Sequence, residues 1–217
     1  MAPPGPQPNS DADLLSQLLF EIKACRICID NPNGDPLPHE PRPVLQARAS
    51  ARLAIFGQAP GLKVHHAGKP FMDPSGVRLR NWMGIGEEDF YEPAKVAIIP
   101  MGFCFPGYDK KGGDLPPRRE CAAAWRARVL AELPNLELVL LVGQYAQAWH
   151  LGADKRRTLT ETVAAWRDYL TKDSLPRLLP LPHPSWRNNA WISKNLWFEM
   201  ELLPELKRLV QSILSRP

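Results

Sequence analysis

Four short apolar runs, each closed by glycine or proline, constrain this chain more than any other feature. They are Leu53-Ala54-Ile55-Phe56 before Gly57, Val96-Ala97-Ile98-Ile99 before Pro100, Leu136 to Val142 before Gly143, and Leu178-Leu179 before Pro180. Apolar runs this short, without polar alternation, read as strands buried on both faces. Helical periodicity separates them. Leu14, Leu15, Leu18, Leu19 and Ile22 form one apolar face ahead of the first run, with Ser10 as N-cap and Asp13 at the third helical position. A short helix with Leu79, Trp82 and Met83 follows the first run, and an Ala- and Arg-rich helix from about Arg118 to Leu133 follows Pro116-Pro117. Gln144 to Trp149, and a segment with Val163, Ala164 and Trp166 capped by Thr158 or Thr160, are also helical. The C-terminal helix uses Phe198, Leu202, Leu206, Leu209, Val210 and Ile213, and Pro204 interrupts it. This alternation predicts an α/β fold, a three-layer α/β/α sandwich with a central four-stranded parallel sheet. With 217 residues and no internal repeat, the chain reads as one domain over 10–217 behind a disordered Pro/Gly/Asn-rich tail over 1–9.

No apolar run approaches the ~20 residues of a membrane helix. The start, Met1-Ala2-Pro3-Pro4-Gly5-Pro6, is neither basic nor followed by an apolar core, so a cytoplasmic protein is expected. A net charge of +4 permits a polyanionic partner without requiring one. The 24 prolines point to long, stiffened connections.

The first run is followed by Gly57-Gln58-Ala59-Pro60-Gly61, and a loop continues through His65 and His66 to Gly68-Lys69-Pro70-Phe71. Open α/β sheets bind ligands at the carboxyl edge of their strands. An ordinary strand-to-loop turn with incidental polar residues would look the same. Asp73-Pro74-Ser75-Gly76 reads as a further turn.

There are four cysteines, Cys25, Cys28, Cys104 and Cys121. A Cys-x-x-Cys pair at a helix end with two distant partners fits a four-thiolate site for zinc or an iron–sulfur cluster. Four independent buried thiols fit equally well. Disulfides are disfavoured without an export signal.

In order along the chain, Cys25-Arg26-Ile27-Cys28, Gly57-Gln58-Ala59-Pro60-Gly61, Gly68-Lys69-Pro70-Phe71, Cys104 with Cys121, and His183-Pro184-Ser185-Trp186-Arg187-Asn188 resemble the uracil-DNA glycosylase superfamily. The iron–sulfur class, family four, is the nearest. The resemblance spans about residues 12 to 215. It implies that the four cysteines are ligands of a structural [4Fe–4S] cluster, with zinc the lesser alternative. The chain also departs from that class. Gln58 stands where family four has glutamate, and Ala59 stands where family one keeps its water-activating aspartate. Alignment on Cys104 puts Pro100 where the uracil-reading asparagine falls, which puts strict uracil specificity in doubt.

The resemblance implies hydrolysis of the N-glycosidic bond of a flipped-out base, leaving an abasic site. The base leaves as an anion and the sugar becomes cation-like, so the site must stabilise negative charge and supply water. Phe71 is the expected stacking face, and His183 the expected donor to a base carbonyl. Gln58 orients base or water but cannot act as a base. The titratable candidates for activating water are His65, where family four commonly has an acid, and Asp73; His66 ranks behind them. Gly57, Ala59, Pro60, Gly61, Met101 and Asn188 are expected to bind substrate. Ser185, Trp186 and Arg187 are expected on DNA, with Trp186 or Arg187 as a wedge and Lys110, Lys111, Arg118 and Arg119 along the backbone. A monomer acting on damaged single- or double-stranded DNA is expected. The alternative is a damaged-DNA binding protein that holds the sugar covalently through a histidine, although the loop from Phe105 to Pro116 has none.

Overall fold

The computed structural model describes residues 10–172 and 174–216. The tail expected over 1–9, and the cap expected from the side chains of Ser10 and Asp13, lie outside what is described. Four strands, β1 (Leu53–Phe56), β2 (Val96–Ile98), β3 (Leu138–Val142) and β4 (Arg177–Leu181), pair in parallel in the order β2-β1-β3-β4. The first strand is therefore internal, with Phe56 opposite Leu141 of β3 and Ile55 opposite Ile98 of β2. The chain leaves β1 toward one edge and later returns to its other side. That reversal opens a crevice at the carboxyl ends of β1 and β3. The fourth strand is longer than Leu178-Leu179 and includes Pro180 opposite Leu141. It lies at the sheet edge, where a residue without an N–H does no harm.

Alternation along the strands sorts the side chains onto two cores. Leu53, Ile55, Leu138, Leu140 and Leu179 meet one layer of helices, including α3 (Pro74–Met83) through Leu79 and Met83, and α6 (Leu203–Leu214) through Leu206 and Val210. Ala54, Phe56, Val139 and Leu141 meet the opposite layer, with Ile22 of α1 (Ser10–Lys23), Val129 of α4 (Arg119–Ala131) and Ala146 of α5 (Gln144–Leu151). The three-layer sandwich is as expected. No helix among the described residues is long and apolar enough to cross a membrane.

Several local expectations need correction. The loop through His65 and His66 contains a helix, α2 (Leu62–Ala67), ended by Gly68 at φ 66°. Asp73-Pro74-Ser75-Gly76 is a helix start rather than a free turn, because Asp at the N-cap and Pro at the first turn suit helix entry. Pro204 begins α6 instead of interrupting it, and a π-helical turn over Phe198–Leu202 joins it to the preceding chain. The helix expected through Trp166 breaks at Ala165 into Leu159–Ala164 and Trp166–Leu170, with Thr158 and Glu161 forming a capping box.

A buried basic pair lies beneath the end of β2. The Arg126 side chain is fully buried; its Nε donates to His150 Nε2 at 2.7 Å and its Nη1 to the Pro100 carbonyl at 3.2 Å. Burial and the neighbouring Arg126 push His150 down to about 3. Neutral His150 is thus the acceptor that Arg126 needs. Unfolded histidine binds a proton below about pH 6.5, whereas folded His150 resists it until about pH 3. Folding stability should therefore fall as pH drops through this window, by at most about 1.4 kcal/mol per unit. Urea titrations at pH 7, 6, 5 and 4 check this, and His150→Gln should flatten the slope.

Candidate functional site at the carboxyl edge of the sheet

Two glycines end adjacent strands. Gly57 follows β1, and a Cβ there would stand 3.4 Å from Phe71 Cζ. Gly143 follows β3, and a Cβ there would stand 3.7 Å from His183 Cβ. Phe71 and His183 thus lie over the same edge of the sheet, on neighbouring strand ends. Gln58 connects them. It lines a cleft of about 630 Å³ with Asp73, Arg78, Asp114, Gln144, His183 and the Ser185–Asn188 segment. It also lines a pocket of about 40 Å³ with Gly57, Pro60, Phe71 and Pro100. Phe71 faces this smaller space and is not part of the wall of the large cleft. Pro100 lines the same small pocket.

The Phe71 backbone is held in an unusual conformation, with φ 53°. Side chains disfavour that region by roughly 1–2 kcal/mol. Its carbonyl accepts from Tyr91 Oη at 3.3 Å and presses on the first turn of α3, where a Cβ on Gly76 would stand 1.8 Å from it. Two residues on, Asp73 Oδ1 accepts from the Gly76 N–H at 3.0 Å as the α3 N-cap. One turn then sets both the ring and the carboxylate.

His183 is oriented by its own loop. The Ser185 N–H donates to His183 Nδ1 at 3.2 Å, so the proton of the neutral ring belongs on Nε2. Burial lowers the His183 pKa, and Arg187 adds to this while Asp73 opposes it. The ring is therefore a neutral donor at pH 7. Asn188 donates from Nδ2 to the His183 carbonyl at 2.6 Å. From α3, Arg78 Nη1 donates to the Ser185 carbonyl at 3.2 Å and to Asn189 Oδ1 at 2.8 Å. Asn188 is thus engaged in holding the loop, while Trp186 is 73 % exposed beside exposed Arg187.

The remaining expected residues are distributed differently. His65 is buried in a ring cluster, 4.3 Å between centroids from His39 and 6.2 Å from Phe105, and lines neither space. Burial, with His39, lowers its pKa. Met101 turns its side chain into the core on the α1 side, and only its N–H reaches the strand end, donating to the Gly57 carbonyl at 3.0 Å. Ala59 lines neither space, whereas Gly61 reaches the large cleft. Arg118 pairs with Glu120 at 2.7 Å and faces the cysteines, so it is not free to follow DNA. Lys110 and Lys111 are exposed.

Asp114, Arg78 and Gln144 line the cleft without having been singled out in the sequence. Asp114 lies in a long, Gly- and Pro-rich loop that no periodicity places. A Tyr108–Asp114 bridge folds that loop back as a hairpin.

All four cysteines line a second, enclosed pocket with Phe103 and Arg118. Trp125 Nε1 donates to Cys25 Sγ at 3.2 Å and the Phe103 N–H to Cys121 Sγ at 3.3 Å. Burial pushes Cys28 up to about 11 and Cys104 up to about 12, and raises Cys121 as well. No disulfide forms among them. Among the described residues no group of three or more His, Cys, Asp or Glu is placed to hold a metal ion.

The family model described as the Uracil DNA glycosylase superfamily matches residues 45–207, which includes both glycine-ended strands and the His183 loop.

Replacing Gly76 by alanine should force Phe71 and α3 apart. We expect a loss of ~2–4 kcal/mol in urea unfolding. A loss within ~0.5 kcal/mol, the range of a neutral surface change, would show that the turn relaxes freely.

Proposed function

From the chain's membership of the uracil DNA glycosylase superfamily, we propose that it hydrolyses the N-glycosidic bond of uracil or a related deaminated or oxidised base in DNA. The observation that carries this reading is the convergence of Gln58, Asp73 and His183 on one cleft at the β1–β3 edge. Its volume of about 630 Å³ is ample for an extruded nucleotide.

Each group has a chemical role. The target base enters between the strand ends and reaches Gln58, beside the pocket holding Phe71. As the C1′–N bond stretches, electron density moves onto the base, and His183 Nε2–H donates to a base carbonyl. A neutral imidazole serves well because its orientation is set before the charge appears. The Gln58 amide orients the base but takes no proton. Asp73, with one oxygen committed to the helix cap, sets a negative charge near the cation-like sugar. Trp186 and Arg187, exposed at the rim, are suited to the vacated stack and the flanking phosphates. The resemblance puts Pro100 at the base-reading position, where it offers neither an amide side chain nor an N–H, which supports a base other than, or in addition to, uracil.

We also propose that Cys25, Cys28, Cys104 and Cys121 hold a [4Fe–4S] cluster with a structural role. Their shared pocket and the N–H donors on two of the sulfurs support this. Protein prepared without oxygen should be brown and carry about four iron and four acid-labile sulfide per chain. Stoichiometric zinc without sulfide would overturn the assignment.

The activity is tested with oligonucleotides carrying uracil, hypoxanthine, xanthine or hydroxymethyluracil, single- and double-stranded, followed by alkali. Strand scission is expected for at least one base, and His183→Ala should slow it by ~100- to 1000-fold, the scale of losing one preorganised donor. Intact DNA across the panel would overturn the reading. An SDS-stable protein–DNA band in place of turnover would favour covalent capture.

A further inference from the structure

We propose that Asp114, on the hairpin facing the end of motif Gly57–Gly61, is the group that takes the proton from the attacking water. This rests on the glycosylase reading of the cleft. The chemistry leaves a gap that the cleft itself fills. Gln58 accepts no proton, Ala59 carries no acid, and His65 is buried away from the cleft. Asp73 is present, but its Oδ1 is committed to the Gly76 N–H at 3.0 Å as the cap of α3.

Asp114 has the opposite character. Among the described residues its carboxylate takes no hydrogen bond and forms no ion pair within 4.0 Å. Its Oδ2 lies 3.6 Å from where a Gly61 Cβ would stand, so it points at the turn that closes β1. The hairpin fixes its backbone: Leu115 N–H donates to the Gly107 carbonyl at 2.9 Å, and Asp109 Oδ1 accepts from the Lys111 and Gly113 N–H groups at 2.8 and 2.9 Å. Partial burial raises its pKa, Arg187 counters this, and Asp73 adds to it. A carboxylate so placed, with neither oxygen committed to a partner, is free to take a proton from a water in the cleft. The charged and titratable groups around it in the cleft are Asp73, Arg78, His183 and Arg187, with Lys63 on α2.

The step balances. A water oxygen forms the new bond to C1′ as the C1′–N bond breaks, and the electron pair of that bond leaves with the base. His183 Nε2–H stabilises the resulting anion. The water proton passes to the Asp114 carboxylate and then to solvent, and the base anion takes up its own proton after release.

The test is single-turnover cleavage of the panel's best substrate by wild type, Asp114→Asn, Asp114→Glu and Asp73→Asn, across pH. Asp114→Asn should lose ~100-fold or more in rate, the lower range for a general base. Its affinity for a non-cleavable analogue of the substrate should stay within about threefold, because the group acts mainly in the transition state. The acidic limb of the wild-type profile should disappear in Asp114→Asn, and Asp114→Glu should recover part of the rate. Wild-type rate, an unchanged acidic limb or a matching loss of affinity in Asp114→Asn would overturn the proposal and leave the glycosylase reading intact. Inactive wild type would overturn both.

Discussion

Two missing side chains make room for this site. Gly57 and Gly143 end adjacent parallel strands, and Phe71 and His183 occupy the space above them within van der Waals reach. A Cβ at either position would already be in van der Waals contact with its neighbour, so a side chain longer than alanine's would press on one of the rings, and Gly143, at φ 85°, also holds a backbone conformation that other residues rarely adopt. The strand order puts β1 inside the sheet, so both ends open onto the same crevice. Gln147 reinforces that edge from below; its Nε2 donates to the Leu141 carbonyl at 3.2 Å and the Leu181 carbonyl at 2.8 Å. It thereby ties the carboxyl ends of β3 and β4 together, directly beneath the segment that leads to His183.

Above the sheet, α3 links the two halves of the cleft. Its first turn supports Phe71 through Gly76 and is capped by Asp73, and its Arg78 reaches across to Ser185 and Asn189. A single helix thus sets the spacing between the motif after β1 and the motif after β4. The segment from Met101 to Pro117 makes a second link. Its start docks on Gly57 and Gln58, Cys104 joins the cysteine pocket, and Asp114 returns to the cleft. Thiolate ligation at Cys104 would anchor this loop without any atom of a cluster taking part in catalysis. The His183 ring, with its tautomer set by a backbone N–H, needs little reorganisation as charge develops on a base.

The parts of this arrangement that were legible in the sequence are those dictated by local rules. Doubly buried strands show as uninterrupted apolar runs, and Leu53–Phe56 and Leu138–Val142 are of that kind. Gly57 and Gly143 mark their ends for the same reason that they leave room there. Legibility failed where a residue's meaning depends on distant partners. Asp73-Pro74-Ser75-Gly76 reads as a turn from its composition, whereas the Asp73 side chain caps the Gly76 N–H and starts α3 there. His65 and His66 are adjacent in sequence, yet α2 turns His65 inward to His39 and leaves His66 exposed. Asp114 was hidden because a hairpin, not a periodic element, brings it back to the cleft.

The central claim is that an extruded base is held between Gln58 and His183 at the β1–β3 edge. It is tested most directly by a crystal structure of the protein with DNA carrying an uncleavable 2′-fluoro analogue of its best substrate. The account requires the base inside this cleft, with His183 Nε2 within ~3 Å of a base carbonyl oxygen and Nδ1 still facing the Ser185 N–H. A base left stacked in the duplex, or lodged against His65 on the far side of α2, would contradict it.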